Sequence, residues 1–496
     1  MSRSVLRGPL LAALALALAV PARAGVQITI VNGNAAGVGF NDATPATPVG
    51  GNTGTTVGAQ RLQAFQYAAG LWSALLEGDV SIQIQATFEP LDCTATTGTL
   101  GAAGPTQAIS DFPGAPEPGT WYAAALASRL AGTDLLAGSA AEIQAKFNSN
   151  VGTTGCLASA QWYYGLDNQH GNSIDLVSVL LHEFAHGLGF LTFADPTTGQ
   201  ELQGQPDIFE KHIRDDSTGL TWDAMSDAER QASAIRTGSV SWDSPRVNAA
   251  APSTLSAMPT LTVHAPAAIA GELEVGTASF GSALTAAGVS GDLAAAEDPS
   301  DAAGAATTDA CSPLTNAAAV AGRIALVDRG TCNFTDKARN VQDAGATGLV
   351  VADNVAEPLF VMGGADASIT IPLVLVTQSD GASLRANLAA GVAVTLRLDP
   401  TRHAGTDSAA RVLLYAPNPA DAGSSISHWD SSAFPHLLMQ PSLASDLKHD
   451  VDLTLPLLQD IGWTTAPVVP TAPRGPVHRE GNDGPPRKLG PRPEAP

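Results

Sequence analysis

The sequence predicts an α+β domain that is interrupted by a second, smaller α/β domain, and three observations carry that prediction. Near the start, Val26-Gln27-Ile28-Thr29-Ile30 alternates like a half-buried strand. Leu62, Phe65, Ala69, Trp72 and Leu76 then recur at helical spacing, and Val80, Ile82, Ile84, Ala86 and Phe88 at period 2. Between about Leu261 and Pro400, apolar strands alternate with helical stretches in a block with its own internal logic. After Asp399 the chain returns to the first domain, ending in the short apolar helix Leu453–Trp463.

Taken in order, the first 24 residues read as a signal peptide. Arg3 and Arg7 precede the apolar run Leu10–Val20, which is too short to span a bilayer, and Pro21-Ala22-Arg23-Ala24 presents small residues for cleavage after Ala24. An exported chain without a membrane anchor follows. Cleavage removes three Arg and no acid, taking the formal charge from −22 to −25. So acidic a protein repels phosphate backbones, which argues against nucleic acid as a partner. Four cysteines in an exported chain suggest two disulfides, with three pairings open; Cys93–Cys156 and Cys311–Cys332 keep each bridge within one domain.

A Gly/Thr/Pro-rich loop, about 32–54, separates the first strand from the first helix. A second helix is expected from Ser173, as N-cap, to Phe190, with Asp175 in its first turn and Gly187 and Gly189 marking its end. In the middle block, Arg323–Gly330 is a strand and turn, and Thr335 can cap a helix running to Gly345. Gly348–Ala352 and Ile371–Val376 are strands, and Ser379–Ala390 is a helix. Thr454 is expected to cap a short helix that stops at Gly462. Residues 464–496 hold nine prolines and little that is apolar, the composition of a disordered tail.

The chemistry sits in His182-Glu183-Phe184-Ala185-His186. Two histidines four residues apart on a helix share one face and can offer two nitrogens to zinc at about 2.0–2.1 Å. Glu183, beside the first ligand, is placed to act as general base toward a metal-activated water. The preceding Leu176, Val177, Val179, Leu180 and Leu181 require a largely buried helix, and buried His and Glu need partners; a metal satisfies them together.

His182–Phe190 resembles the zinc helix of the metzincin metallopeptidases, in which a Gly three residues after the second His turns the chain. In most metzincins a third His follows three residues later, where this sequence has Thr192. The leishmanolysin-like branch tolerates a long insertion before a third His that lies about eleven residues ahead of a Met in a tight turn. Here His428 precedes Met439 by that spacing, and Asp460-Ile461-Gly462-Trp463 is similar to that family's C-terminal close. The resemblance implies His428 as third ligand and Met439 as the turn residue. The competing third ligand is Glu210, 24 residues after His186, a spacing reminiscent of thermolysin-like enzymes; Asp195 and Asp207 have no supporting pattern. His170, His212, His264, His403, His436, His449 and His478 read as surface or loop residues. Calcium would suit an acidic exported peptidase, but no loop has a ligand spacing for it.

The middle block resembles the protease-associated (PA) domain: Asp309-Ala310-Cys311-Ser312-Pro313, Gly322–Gly330, Cys332-Asn333-Phe334, Lys337-Ala338, Ala344-Gly345-Ala346, Val350–Asn354 and Ile371-Pro372 carry the likeness. It implies a non-catalytic module that shapes substrate access or contacts partners. The expected organisation is a metzincin-like α+β zinc peptidase domain in two parts, 25–255 and 402–463, split by a PA domain at 256–401. The expected function is that of a secreted zinc endopeptidase acting on protein or peptide substrates, with one Zn2+ on His182, His186 and His428 and with Glu183 as base. The alternative is an inactive zinc-containing protein that binds partners through its PA domain. Two features depart from the family: about 100 residues still separate Gly189 from His428 once the insert is removed, and no Cys precedes Cys93, so cysteine-switch latency is not expected.

Overall fold

The computed structural model describes residues 25–136, 140–356 and 359–465; the predicted signal peptide and the Pro-rich tail beyond Thr465 lie outside the described residues. Strand β1 (Ile28–Asn32) leads through the Gly-rich loop to helix α1 (Val57–Leu75), whose N-terminus is capped by the Thr56 hydroxyl accepting from the Ala59 N–H at 3.2 Å. Then come β2 (Ile82–Glu89), β3 (Gly101–Pro105), β4 (Ile143–Asn148) and helix α2 (Leu176–Leu188). The sheet order is β1-β2-β4-β3, parallel except for β3, which runs antiparallel to β4 at the edge. Ile82, Ile84, Ala86 and Phe88 of β2 all point into the core, as their period of two requires.

Helix α2 packs on α1, β3 and β4, and every one of its residues is buried. Its cap differs from the sequence expectation. Asp175, not Ser173, is the N-cap: its carboxylate accepts from the Ser178 N–H at 2.8 Å and the Ser178 hydroxyl at 2.7 Å, while Ile174 and Asp175 are held extended against Trp162 and Tyr163. At the other end Gly189 adopts φ +119°, open to glycine without strain, and turns the chain back toward Phe190.

The inserted domain carries a seven-stranded sheet. It comprises β5 (Ala257–Ala265), β6 (Gly271–Glu274), β7 (Val289–Ala295), β8 (Ile324–Asp328), helix α3 (Phe334–Asp343), β9 (Gly348–Ala352), β10 (Leu373–Val376), helix α4 (Gln378–Asn387) and β11 (Ala393–His403). Strand order is β6-β5-β11-β7-β8-β9-β10, with the β7–β10 half parallel. β5 and β11 pair antiparallel, with Ala257 opposite His403, so the chain leaves and rejoins the first domain at adjacent points. Two apolar clusters built only from residues 261–396 cover the two faces. Asn333, rather than Thr335, flanks the start of α3.

Beyond the insert, Val412–Leu413 pairs with Val240–Trp242, which pairs with Ile213–Asp215. The two flanks of the insert therefore share one sheet, and one apolar core draws on both. Helix α5 (Thr454–Asp460) packs against the helix Pro245–Thr254; Thr454 is its first helical residue and not its cap. Both disulfides are present, Cys93–Cys156 and Cys311–Cys332. Among the described residues no helix is long and apolar enough to cross a membrane.

Candidate metal centre

Helix α2 projects His182 and His186 from one face, and the loop after Val412–Leu413 brings His428 to meet them. The three Nε2 atoms lie 3.2, 3.2 and 3.3 Å apart, and the side chains are 1%, 7% and 0% exposed. Each Nδ1 faces a backbone carbonyl: that of Leu438 for His182 (2.7 Å), of Phe190 for His186 (2.8 Å) and of Ser424 for His428 (2.7 Å). A carbonyl can only accept, so each Nδ1 carries the proton and each Nε2 turns a lone pair inward. Three lone pairs converging in a buried space repel one another unless a cation lies between them. Ligands of a tetrahedral zinc with bonds of about 2.0–2.1 Å are separated by roughly 3.3 Å, the spacing found here. The donor set fits zinc.

Electrostatics agree. Burial, and then the neighbouring His428, hold His182 well below its ordinary range, and burial pushes His428 down to about 4, so these rings are neutral donors at neutral pH. Glu183 is 1% exposed, and neither carboxylate oxygen has a hydrogen-bonding partner of ordinary geometry. Burial raises its carboxyl to about 8, eased only by the nearby Ala103 amide of β3. A buried carboxylate next in the chain to His182, without a hydrogen-bonding partner of ordinary geometry, and three converging lone pairs both call for positive charge.

Met439 is fully buried in the turn Leu437–Gln440. The turn touches both sides of the centre: the Leu438 carbonyl accepts from His182, and the Met439 carbonyl accepts from the Trp429 N–H, next to His428, at 2.8 Å.

Glu210 stands elsewhere. It is buried against Asp207, accepting from the Asp207 N–H at 3.2 Å, and burial and then Asp207 push its carboxyl up to about 10. Asp207 in turn accepts from Thr192 Oγ1 at 2.8 Å and from the Phe193 N–H, anchoring the chain just past α2. Among the described residues, His182, His186 and His428 are the one group of three or more potential ligands close enough to share an ion. Of the other histidines, His449 pairs with Asp175 at 2.8 Å and His436 with Asp446 at 2.7 Å, while His264 bonds Thr395 and His212 lies against Trp242. His478 lies outside the described residues. The carbonyls that orient the ligands escaped the sequence reading, because backbone groups leave no residue-type signal.

Residues 289–384 match the PA domain family. ER degradation-enhancing alpha-mannosidase-like protein 3 of Xenopus laevis is 41% identical over 120 residues, 22% of this chain and 12% of that protein. Signal peptide peptidase-like 2 of Arabidopsis thaliana is 38% identical over 105 residues, 20% and 19% of the two chains. Vacuolar-sorting receptor 3 of the same plant is 43% identical over 83 residues, 15% and 13%. This chain thus spans less than a fifth of these relatives. Among solved structures, a zinc aminopeptidase from Bacillus subtilis is 24% identical over 29% of this chain and 31% of its own, with a TM-score of 0.22. The aminopeptidase from Aneurinibacillus sp. strain AM-1 is 26% identical over 30% and 32%, again with a TM-score of 0.22. The family match alone places a PA domain at residues 289–384, within the inserted sheet and its helices.

Proposed function

We propose that the chain is a secreted zinc-dependent endopeptidase of leishmanolysin-like type. Its catalytic domain is residues 25–255 with 402–463, split by the PA-bearing insert at 256–401, and one zinc ion is held by His182, His186 and His428. The observation that carries this reading is the convergence of three inward Nε2 lone pairs, with Glu183, the residue after His182, buried and without a hydrogen-bonding partner of ordinary geometry. When bound, zinc supplies a Lewis acid that makes water acidic near neutral pH and polarises a carbonyl. Glu183 is the general base. Hydrolysis places the hydroxyl of water on the scissile carbonyl carbon and its proton on Glu183, which passes that proton to the amine nitrogen as the C–N bond breaks. The edge position of β3 supports an internal cleavage site: an extended peptide adds to an edge strand, and β3 runs past Glu183, so close that a Cβ on Gly101 would lie 3.1 Å from Glu183 Cγ.

The alternative is a zinc-containing protein that binds partners through the PA domain and hydrolyses nothing. Glu183 weighs against it, since a structural site has no use for a buried base. Glu183→Ala decides between them. A peptidase keeps its zinc but loses casein hydrolysis by about 10²-fold or more; a binding protein shows no zinc-dependent hydrolysis in either form.

A further inference from the structure

His186 and His428 take their orienting carbonyls from four residues away in the same stretch of chain, whereas His182 takes its own from Leu438, 256 residues distant. What fixes Leu438 therefore fixes His182. The Leu438 N–H donates to Asp452 Oδ2 at 2.6 Å. The other oxygen of Asp452 accepts from the Thr454 N–H at 3.2 Å and the Thr454 hydroxyl at 3.1 Å, tying the start of α5 to the same carboxylate. Asp452 does this from φ +28°, a conformation disfavoured for a residue with a Cβ. The segment is pinned a second time three residues earlier, where His449 Nε2 meets Asp175, the N-cap of α2, at 2.8 Å.

On the reading that His182 is a zinc ligand, we propose that Asp452 is a positioning residue of the metal centre: by gripping the Leu438 N–H it aims the Leu438 carbonyl at His182 Nδ1 and so sets the ring on which the metal binds. Carbonyl partners of ligating histidines fix tautomer and ring direction, and loss of such support costs about 10–100-fold in metal affinity. Because the other two ligands are oriented locally, the damage falls on one ligand of three.

The test is zinc affinity by chelator competition, with the Co2+ absorption spectrum as a reading of ligand geometry, on the full chain and three variants. Asp452→Gly removes the carboxylate at a φ that glycine accepts easily. It is expected to bind zinc about 10–100-fold more weakly and to shift the Co2+ bands. Asp452→Asn, which keeps one accepting oxygen but loses the charge and the second acceptor, is expected to bind zinc several-fold more weakly, a smaller loss than that of Asp452→Gly. Thr454→Val removes one bond to the same carboxylate on the α5 side only; it is expected to lower the melting temperature with zinc affinity and spectrum unchanged. Equal zinc affinity in wild type and Asp452→Gly overturns the proposal, as does an equal loss in Thr454→Val. Should Asp452→Gly not fold, Asp452→Asn against Thr454→Val decides on the same axis: several-fold weaker zinc in the first alone supports the proposal, and parity between them overturns it. Absence of zinc from the wild type refutes the metal-centre reading itself, a result distinct from any of these.

Discussion

Gly187, between His186 and Leu188 of α2, faces Ile143 of β4 with no room for a side chain. A Cβ there would lie 2.4, 2.8 and 2.9 Å from Cγ2, Cδ1 and Cγ1 of Ile143, a fully buried residue of β4. Carbon atoms prefer separations of about 3.5–4.0 Å, so Gly187→Ala must push helix and strand apart by roughly 1 Å or force Ile143 out of its rotamer. Overpacking of this kind costs about 1–3 kcal/mol, offset by up to about 1 kcal/mol of helix propensity gained over glycine. Ile143→Ala removes all three clashing atoms and alone costs about 2–5 kcal/mol. In the double variant the alanine methyl occupies part of the vacated space, so its stability exceeds the additive expectation by about 1–3 kcal/mol. The assay is denaturant unfolding of the four proteins in the presence of chelator, followed by Trp fluorescence. All seven Trp lie outside residues 256–401, so the signal reports the first domain alone. Additivity to within about 0.5 kcal/mol refutes the packing argument.

Two further outcomes follow from the same structure. Glu210, raised to about 10 by burial and Asp207, binds a proton in the folded state that the unfolded chain releases near pH 4.5; the stability this contributes is complete below that pH and is lost as pH rises toward 10. Wild type should therefore lose stability as pH rises from about 5 to 8, and Glu210→Gln, which mimics the protonated form, should lose less; parallel pH profiles contradict this. Replacing Cys311 and Cys332 together by Ser opens a crosslink of sequence separation 21 and should destabilise the inserted domain by roughly 3 kcal/mol. Amide exchange in β8–β10 should accelerate while zinc affinity stays unchanged; loss of zinc would mean that the insert supports the metal centre.

Much of this architecture is legible in residue type and spacing because the elements involved are long and periodic. The alternation of β2, the apolar run of α2 and the Gly348–Ala352 strand each announce themselves, and the spacing of His428 to Met439 singles out a distant residue that the fold brings beside His182 and His186. Other parts carry no such signal. β3 is Gly-Ala-Ala-Gly-Pro, without a β-branched or alternating residue, and is a strand because β4 pairs with it. The sheet formed by Leu220–Thr221, Ile213–Asp215, Val240–Trp242 and Val412–Leu413 has strands of two or three residues, too short to show a period. Ser173 lost the cap of α2 because Ile174 and Asp175 pair with Trp162 and Tyr163, which delays the helix by two residues. The grip of Asp452 on Leu438 is a long-range hydrogen bond to backbone, which only the folded chain reveals.

The most direct test of the metal centre is the zinc content of purified wild type beside His428→Ala, with casein hydrolysis followed in parallel. About one zinc per chain in wild type, and loss of both metal and hydrolysis in His428→Ala, is the result predicted from three converging imidazoles. Retention of zinc and activity by His428→Ala would contradict it, and would move the third ligand away from His428.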